Sequence, residues 1–142
     1  MSVITDIAEA VKEELNAATF SQPFSAERHY QPLFELEEMK DLHVSVVPNS
    51  LTIHPLGRGQ NQYDVKVDVA IQKKFAKGDN TELDPLMTLV EEIADHFRLK
   101  RLAGYTAAMW VKTENAPVYA QEHMEQLRQF TSVVTLTFRV QR

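Results

Sequence analysis

The chain of 142 residues contains no cysteine. That excludes disulfides, thiolate metal ligands and a cysteine nucleophile, and fits a protein made in a reducing cytosol. Positive charge is also in short supply: 15 Lys and Arg stand against 20 Asp and Glu, for a net charge of −5 and a pI near 5.5. A broad electrostatic grip on nucleic acid needs a basic face, so the balance argues against that class of function. The local exception is "FRLKRL" at 97–102, carrying Arg98, Lys100 and Arg101, which reads as the cationic end of a helix. No window approaches the roughly 18 apolar residues of a membrane span. The opening "MSVITDIAEAVKEEL" lacks the basic start and unbroken apolar stretch of a signal peptide. Repeats, low-complexity tracts and linkers are absent from the sequence, so the expectation is a single domain over 1–142. With 44% hydrophobic and 25% charged residues, such a chain can bury a core without staples.

Recognisable catalytic motifs are lacking too. The five histidines, His29, His43, His54, His96 and His123, form no H-x-x-x-H or H-E-x-x-H pair. His29 and His43 fall on neighbouring predicted strands and His54 follows, so a three-histidine metal site is conceivable. Three unrelated surface histidines are the simpler reading. Glu35, Glu37, Glu38, Asp41, Glu91, Glu92 and Asp95 are plentiful carboxylates. Paired-acid catalysis needs two of them facing across a cleft, whereas Glu91 and Asp95, four apart on a helix, share a solvated face. "GRGQ" at 57–60 has no lysine-threonine after it and starts no helix, so it is not a phosphate loop. Ser21, Ser25, Ser45, Ser50 and Ser132 lack a nucleophile-elbow context. Trp110 has no basic stripe beside it and reads as core or interface. The expectation is no catalytic, cofactor-binding or metal site, and no cofactor.

What is present is pattern. In "QYDVKVDVAIQKKF" at 62–75, Tyr63, Val65, Val67, Val69 and Ile71 alternate with Asp64, Lys66, Asp68, Ala70 and Gln72. This is a strand, long against a usual 5–6 residues. Residues 3–16 read as a helix, with Val3, Ile4, Ile7, Ala8, Val11 and Leu15 at helical spacing. Short strands are expected at 24–30 and 42–48, the latter stopped by Pro48, with 33–42 as loop or one helical turn. The breaker-rich "PNSLTIHPLGRGQN" at 48–61 reads as the loop of a long hairpin, with Leu51 and Ile53 adding some pairing. A second helix runs to about 99 along Leu83, Leu86, Met87, Val90, Ile93, Ala94 and Phe97. It is capped through Thr81 with Asp84 or through Asp84 before Pro85, and Gly104 ends the segment. Strands follow at 107–114 and 130–140, with a loop and short helical turn at 117–129. The predicted fold class is α+β: a mainly antiparallel sheet with a long hairpin, packed on one face by two amphipathic helices. The other face carries Thr, Lys, Asp and Arg, and can meet water or a partner.

The element order, the long hairpin and the stretches "DVKVDVAIQKKF", "LDPLMTLVEEIADHFR" and "RQFTSVVTLTFRV" resemble small structural proteins of tailed bacteriophages and prophages. More narrowly, the chain is similar to the tail-terminator and tail-completion family, which borders the head–tail neck proteins. The resemblance covers most of the chain. It implies a non-enzymatic virion protein, made in the host bacterial cytoplasm, that forms a hexameric ring at the head-proximal end of a tail. Its implied partners are other copies of itself, the tail-tube protein and a neck or head-completion protein. DNA would pass through the ring without sequence-specific binding, and no membrane is involved. Neighbouring readings are another head–tail joining protein or, in a different class, a small cytoplasmic ligand-binding domain or enzyme. On the ring reading the expected contact residues are Asp64, Lys66 and Asp68 on the polar row, with Leu51, Ile53 and Arg58 in the hairpin connection.

Overall fold

The computed structural model describes residues 2–30 and 41–142. The carboxylates Glu35, Glu37 and Glu38, and the helical turn considered for 33–42 up to residue 40, lie outside the described residues. The first helix, α1, spans Val3–Ala17. Ser2 caps it, its hydroxyl accepting from the Thr5 amide at 3.1 Å. Ile7, Ala8, Val11 and Leu15 are buried, as their spacing predicts. The helix is tied to the first strand, β1 (Ala26–Arg28), through Asn16. Its side-chain carbonyl accepts from Ala26 N at 2.7 Å and its amide donates to Ala26 O at 3.1 Å.

The next two strands are β2 (His43–Gly57) and β3 (Gln60–Lys74). They correct the reading of 48–61 as a loop: the strands run through it and turn only at Arg58 and Gly59. Two register irregularities, between Pro48 and Ser50 and between Pro55 and Gly57, make this compatible with the breakers. At the first, Pro48 faces Val67 and Ser50 faces Lys66, leaving Asn49 as the extra residue of a bulge. The bulge reverses parity. Val44 and Val46 face the helices before it, and Leu51 and Ile53, opposite Val65 and Tyr63, face the same side after it.

The second helix, α2, spans Asn80–His96. Its cap is Asp79, neither of the two starts expected from sequence. The Asp79 carboxylate accepts from Glu82 N at 3.0 Å. The Glu82 carboxylate reaches back to the amides of Ala76, Lys77 and Gly78. Those amide bonds, Lys77 first, hold Glu82 below the ordinary carboxylate range. The helix ends at His96, well before Gly104. "FRLKRL" is therefore mostly a turn leading into the short strand β4 (Arg101–Leu102), rather than a helix end. β5 (Tyr105–Glu114), α3 (Gln121–Leu127) and β6 (Gln129–Gln141) complete the chain.

The sheet is a curled α+β arrangement in the order β1-β2-β3-β6-β5-β4. All pairings are antiparallel except β1 with β2, which is parallel, contrary to the expectation that successive strands pair antiparallel. α1 and α2 cover one face. Beneath them lie Val65, Val67, Val69 and Ile71 of β3 and Val134, Leu136, Phe138 and Val140 of β6. Each such buried side chain stabilises the fold by roughly 1.5–3 kcal/mol.

Candidate interaction surface

The sheet extends past its helical cover. β1 reaches only Val46 of β2, so beyond it β2 has β3 as its only strand neighbour among the described residues. Residues 49–61 are exposed throughout. This is a projecting edge strand with an apolar row: Leu51 is 39% exposed, Ile53 49% and Leu56 45%. Edge strands offer unpaired backbone donors and acceptors, which is how other chains are recruited. Pro48 and Pro55 fit such an edge, because neither has an amide hydrogen to pair. A shallow groove of about 260 Å3, lined by Ser2, Val3, Ile4, Leu51, Tyr63 and Arg142, runs between this row and the start of α1. The Arg142 guanidinium lies 5.3 Å from the Tyr63 ring centre.

The opposite face carries the polar row. Arg139 Nε donates to Asp64 at 2.9 Å. Thr135 donates to Asp68 at 2.7 Å, and the bulge residue Asn49 donates to the same carboxylate at 2.9 Å and 3.0 Å. Lys66 stands opposite Thr137, half-buried. The six residues expected at a contact therefore divide three ways. Leu51 and Ile53 share the helix-side face, Arg58 sits in the exposed turn, and Asp64, Lys66 and Asp68 lie on the other face. All three of that last group already have partners within the chain: Asp64 and Asp68 are hydrogen-bonded, and Lys66 acts on the Glu114 carboxylate. Sequence reading missed Leu56 and the Tyr63–Arg142 pair, because both depend on a register that the bulge at Asn49 hides.

One polar junction ties the helices together. Glu14 of α1 accepts from Ala103 N at 3.0 Å and lies 3.0 Å from His96 Nε2 at the end of α2. Burial pushes the Glu14 carboxyl up, but the Ala103 amide and His96 outweigh it, and the net direction is down. Asp64 is held low chiefly by the Arg139 guanidinium. A carboxylate held low in the folded state stabilises it above the unfolded value. That contribution disappears as pH falls through the folded value. The chain should therefore lose stability as pH drops below about 4, read as a falling urea midpoint. Asp64→Asn and Glu14→Gln should each flatten that decline. An unchanged slope in both would show that these pairs do not set it.

The histidines disperse. His29 bonds Glu27, His96 bonds Glu14, His123 bonds Thr131, and His54 stands exposed on the projecting strand. His43 and His54 lie at distant points of one strand, so these histidines do not converge. Among the described residues no group of three or more His, Cys, Asp or Glu is placed to hold a metal. Glu91 and Asp95 are both exposed on α2.

No protein-family profile matches this chain, and no curated protein does. A solved structure does match. Over 100% of this chain the fold is similar to the sheath/tube terminator of an extracellular contractile injection system, PVC, in its extended state. The TM-score is 0.51 and the sequence identity 17%. The chain spans 57% of the length of that protein. At this identity the likeness is one of fold.

Proposed function

We propose that this chain is a structural, non-enzymatic tail terminator: a ring protein at the head-proximal end of a phage-type tail. There it stops growth of the tail tube and presents a docking surface to the neck or head. The supporting observation is the fold likeness to a sheath/tube terminator, which runs over the whole chain. The physical features agree with it. Ring closure requires two different surfaces on each subunit, because the contact is head-to-tail. The projecting β2–β3 hairpin supplies a free edge and an apolar row on one flank. The sheet's far flank ends in the two-residue strand β4. On this reading the partners are further copies of the chain, arranged as a hexamer, the tail-tube protein and a neck protein. The net charge of −5 suits a passage that DNA slides through. The protein would be a component of the particle, assembled in the host cell.

The test is to add the purified protein to tubes growing from the tail-tube protein of the same particle, with electron microscopy and light scattering as readouts. Rings at one tube end and a shortened, narrow length distribution are expected. Tubes of unchanged length with bare ends, together with a strictly monomeric protein, would overturn the reading.

A further inference from the structure

Two surfaces away from the hairpin are left over once the monomer has folded. One is a groove of about 590 Å3 beside α2, floored by Met87, Val90, Ala94 and Val118 and flanked by Asp84 and Glu91. Val118, in the segment joining β5 to α3, is 41% exposed. The other is a knob. Leu99, three residues past the end of α2, is 83% exposed and sits in the left-handed region at φ 59°. Its neighbours Arg98 and Lys100 are exposed as well.

Leu99 gains the monomer nothing. A branched side chain is disfavoured at positive φ, where glycine is at ease, and an exposed leucine gains no burial. Of the charges around both surfaces, Lys100 already acts on the Glu14 carboxylate, and the others are idle. Among the described residues no ion pair engages Asp84, Glu91 or Arg98. Knob and groove are complementary: apolar centre to apolar floor, cationic flanks to anionic rim. A side chain 83% exposed is not seated in its own chain's groove.

The geometry points to a head-to-tail contact between copies of this chain, in which Leu99 of one subunit enters the Met87–Val118 groove of the next. Arg98 and Lys100 then face Asp84 and Glu91. This inference rests on the oligomeric part of the function proposed above. It assigns a particular subunit contact to that assembly, on the α2 side of the molecule and in addition to the hairpin.

The absence of native cysteine makes the test clean. Leu99→Cys and Val118→Cys are combined in one chain, oxidised, and run on a non-reducing gel. A ladder extending past the dimer is expected, because each subunit links forward and backward. A control pairing Leu99→Cys with Gln141→Cys should link at least about tenfold more slowly. In the cysteine-free chain, Glu91→Arg and Arg98→Glu should each weaken association about tenfold, and the double exchange should restore it. Leu99→Gly should raise the melting temperature by relieving the backbone while weakening association, which separates lost contact from misfolding. A dimer-only product, or linkage no faster than the control, overturns the head-to-tail contact. If light scattering shows an oligomer in that case, the ring reading stands and only this contact falls. A protein that is monomeric at all concentrations and fails to cap tubes overturns both.

Discussion

Phe138→Ala should remove about 3–5 kcal/mol of folding stability. That is a large share of a domain total of roughly 5–15 kcal/mol. Phe138 is fully buried in β6, opposite Val65 of β3 on one side and Trp110 of β5 on the other. Its ring meets Phe97 edge-on, with centres 6.3 Å apart and planes at 81°. Phe97 in turn stands edge-on to His96, which bonds Glu14 of α1. Truncation would leave a cavity beneath Phe97, on a strand held in register by neighbours on both sides, which resists collapse. Urea unfolding should show the midpoint falling by about 2 M at an unchanged slope. A loss under about 1 kcal/mol would mean that the site can close, and that the core is less rigid there than the contacts require.

Shortening the hairpin should do the opposite: spare the fold and remove the assembly. Replacing His54–Gln62 by Asn-Gly joins Ile53 to Tyr63 through a two-residue turn of the kind that matches strand twist. All but one of the residues removed are exposed, Gln62 being half-buried. The fold loses the reciprocal backbone bonds between Asn61 and Arg142, at 2.7 and 2.9 Å, worth about 1 kcal/mol each. The melting temperature should fall by only a few degrees. Capping of tail tubes should drop about a hundredfold or more, since the outer part of the free edge, with Leu56 and the turn at Arg58, is gone. A shortened chain that fails to fold would show the hairpin to be structural. One that caps tubes normally would move the contact elsewhere.

The elements with uninterrupted periodicity were legible from sequence. The 3.6-residue stripe of α1 and the two-residue alternation in β3 and β6 each report a face buried along its whole length. The stretch 48–57 was not legible as a strand, for an identifiable reason. The Asn49 bulge shifts the alternation by one residue, so Val44, Val46, Leu51 and Ile53 do not read as one row until the register is known. Pro48 and Pro55 normally argue against a strand, but they are tolerated where one side of it is unpaired. The parallel pairing of β1 was invisible because three residues are too few to carry a pattern. The α2 cap was misplaced because Asp79, Thr81 and Asp84 all suit the role. Only the reach of Glu82 back to three amides settles it in favour of Asp79. Surfaces fared worst. Leu99 looked like part of a basic helix end, and its exposure follows from a left-handed turn that no residue type there announces.

The placement of β6 also governs when the sheet can exist. β6 follows both β3 and β5 along the chain, yet it is inserted between them. Until it arrives, the molecule is in two pieces: β1–β2–β3 with one open border, and β4–β5 with another. Both borders lie next to apolar faces that will later be core, so the half-built chain is stickier than the finished one. The contacts that end this state span long stretches of sequence, which slows folding. If the chain halts polymerisation of other chains, as proposed above, it must first avoid polymerising itself, and its most exposed moment is the interval before β6 docks.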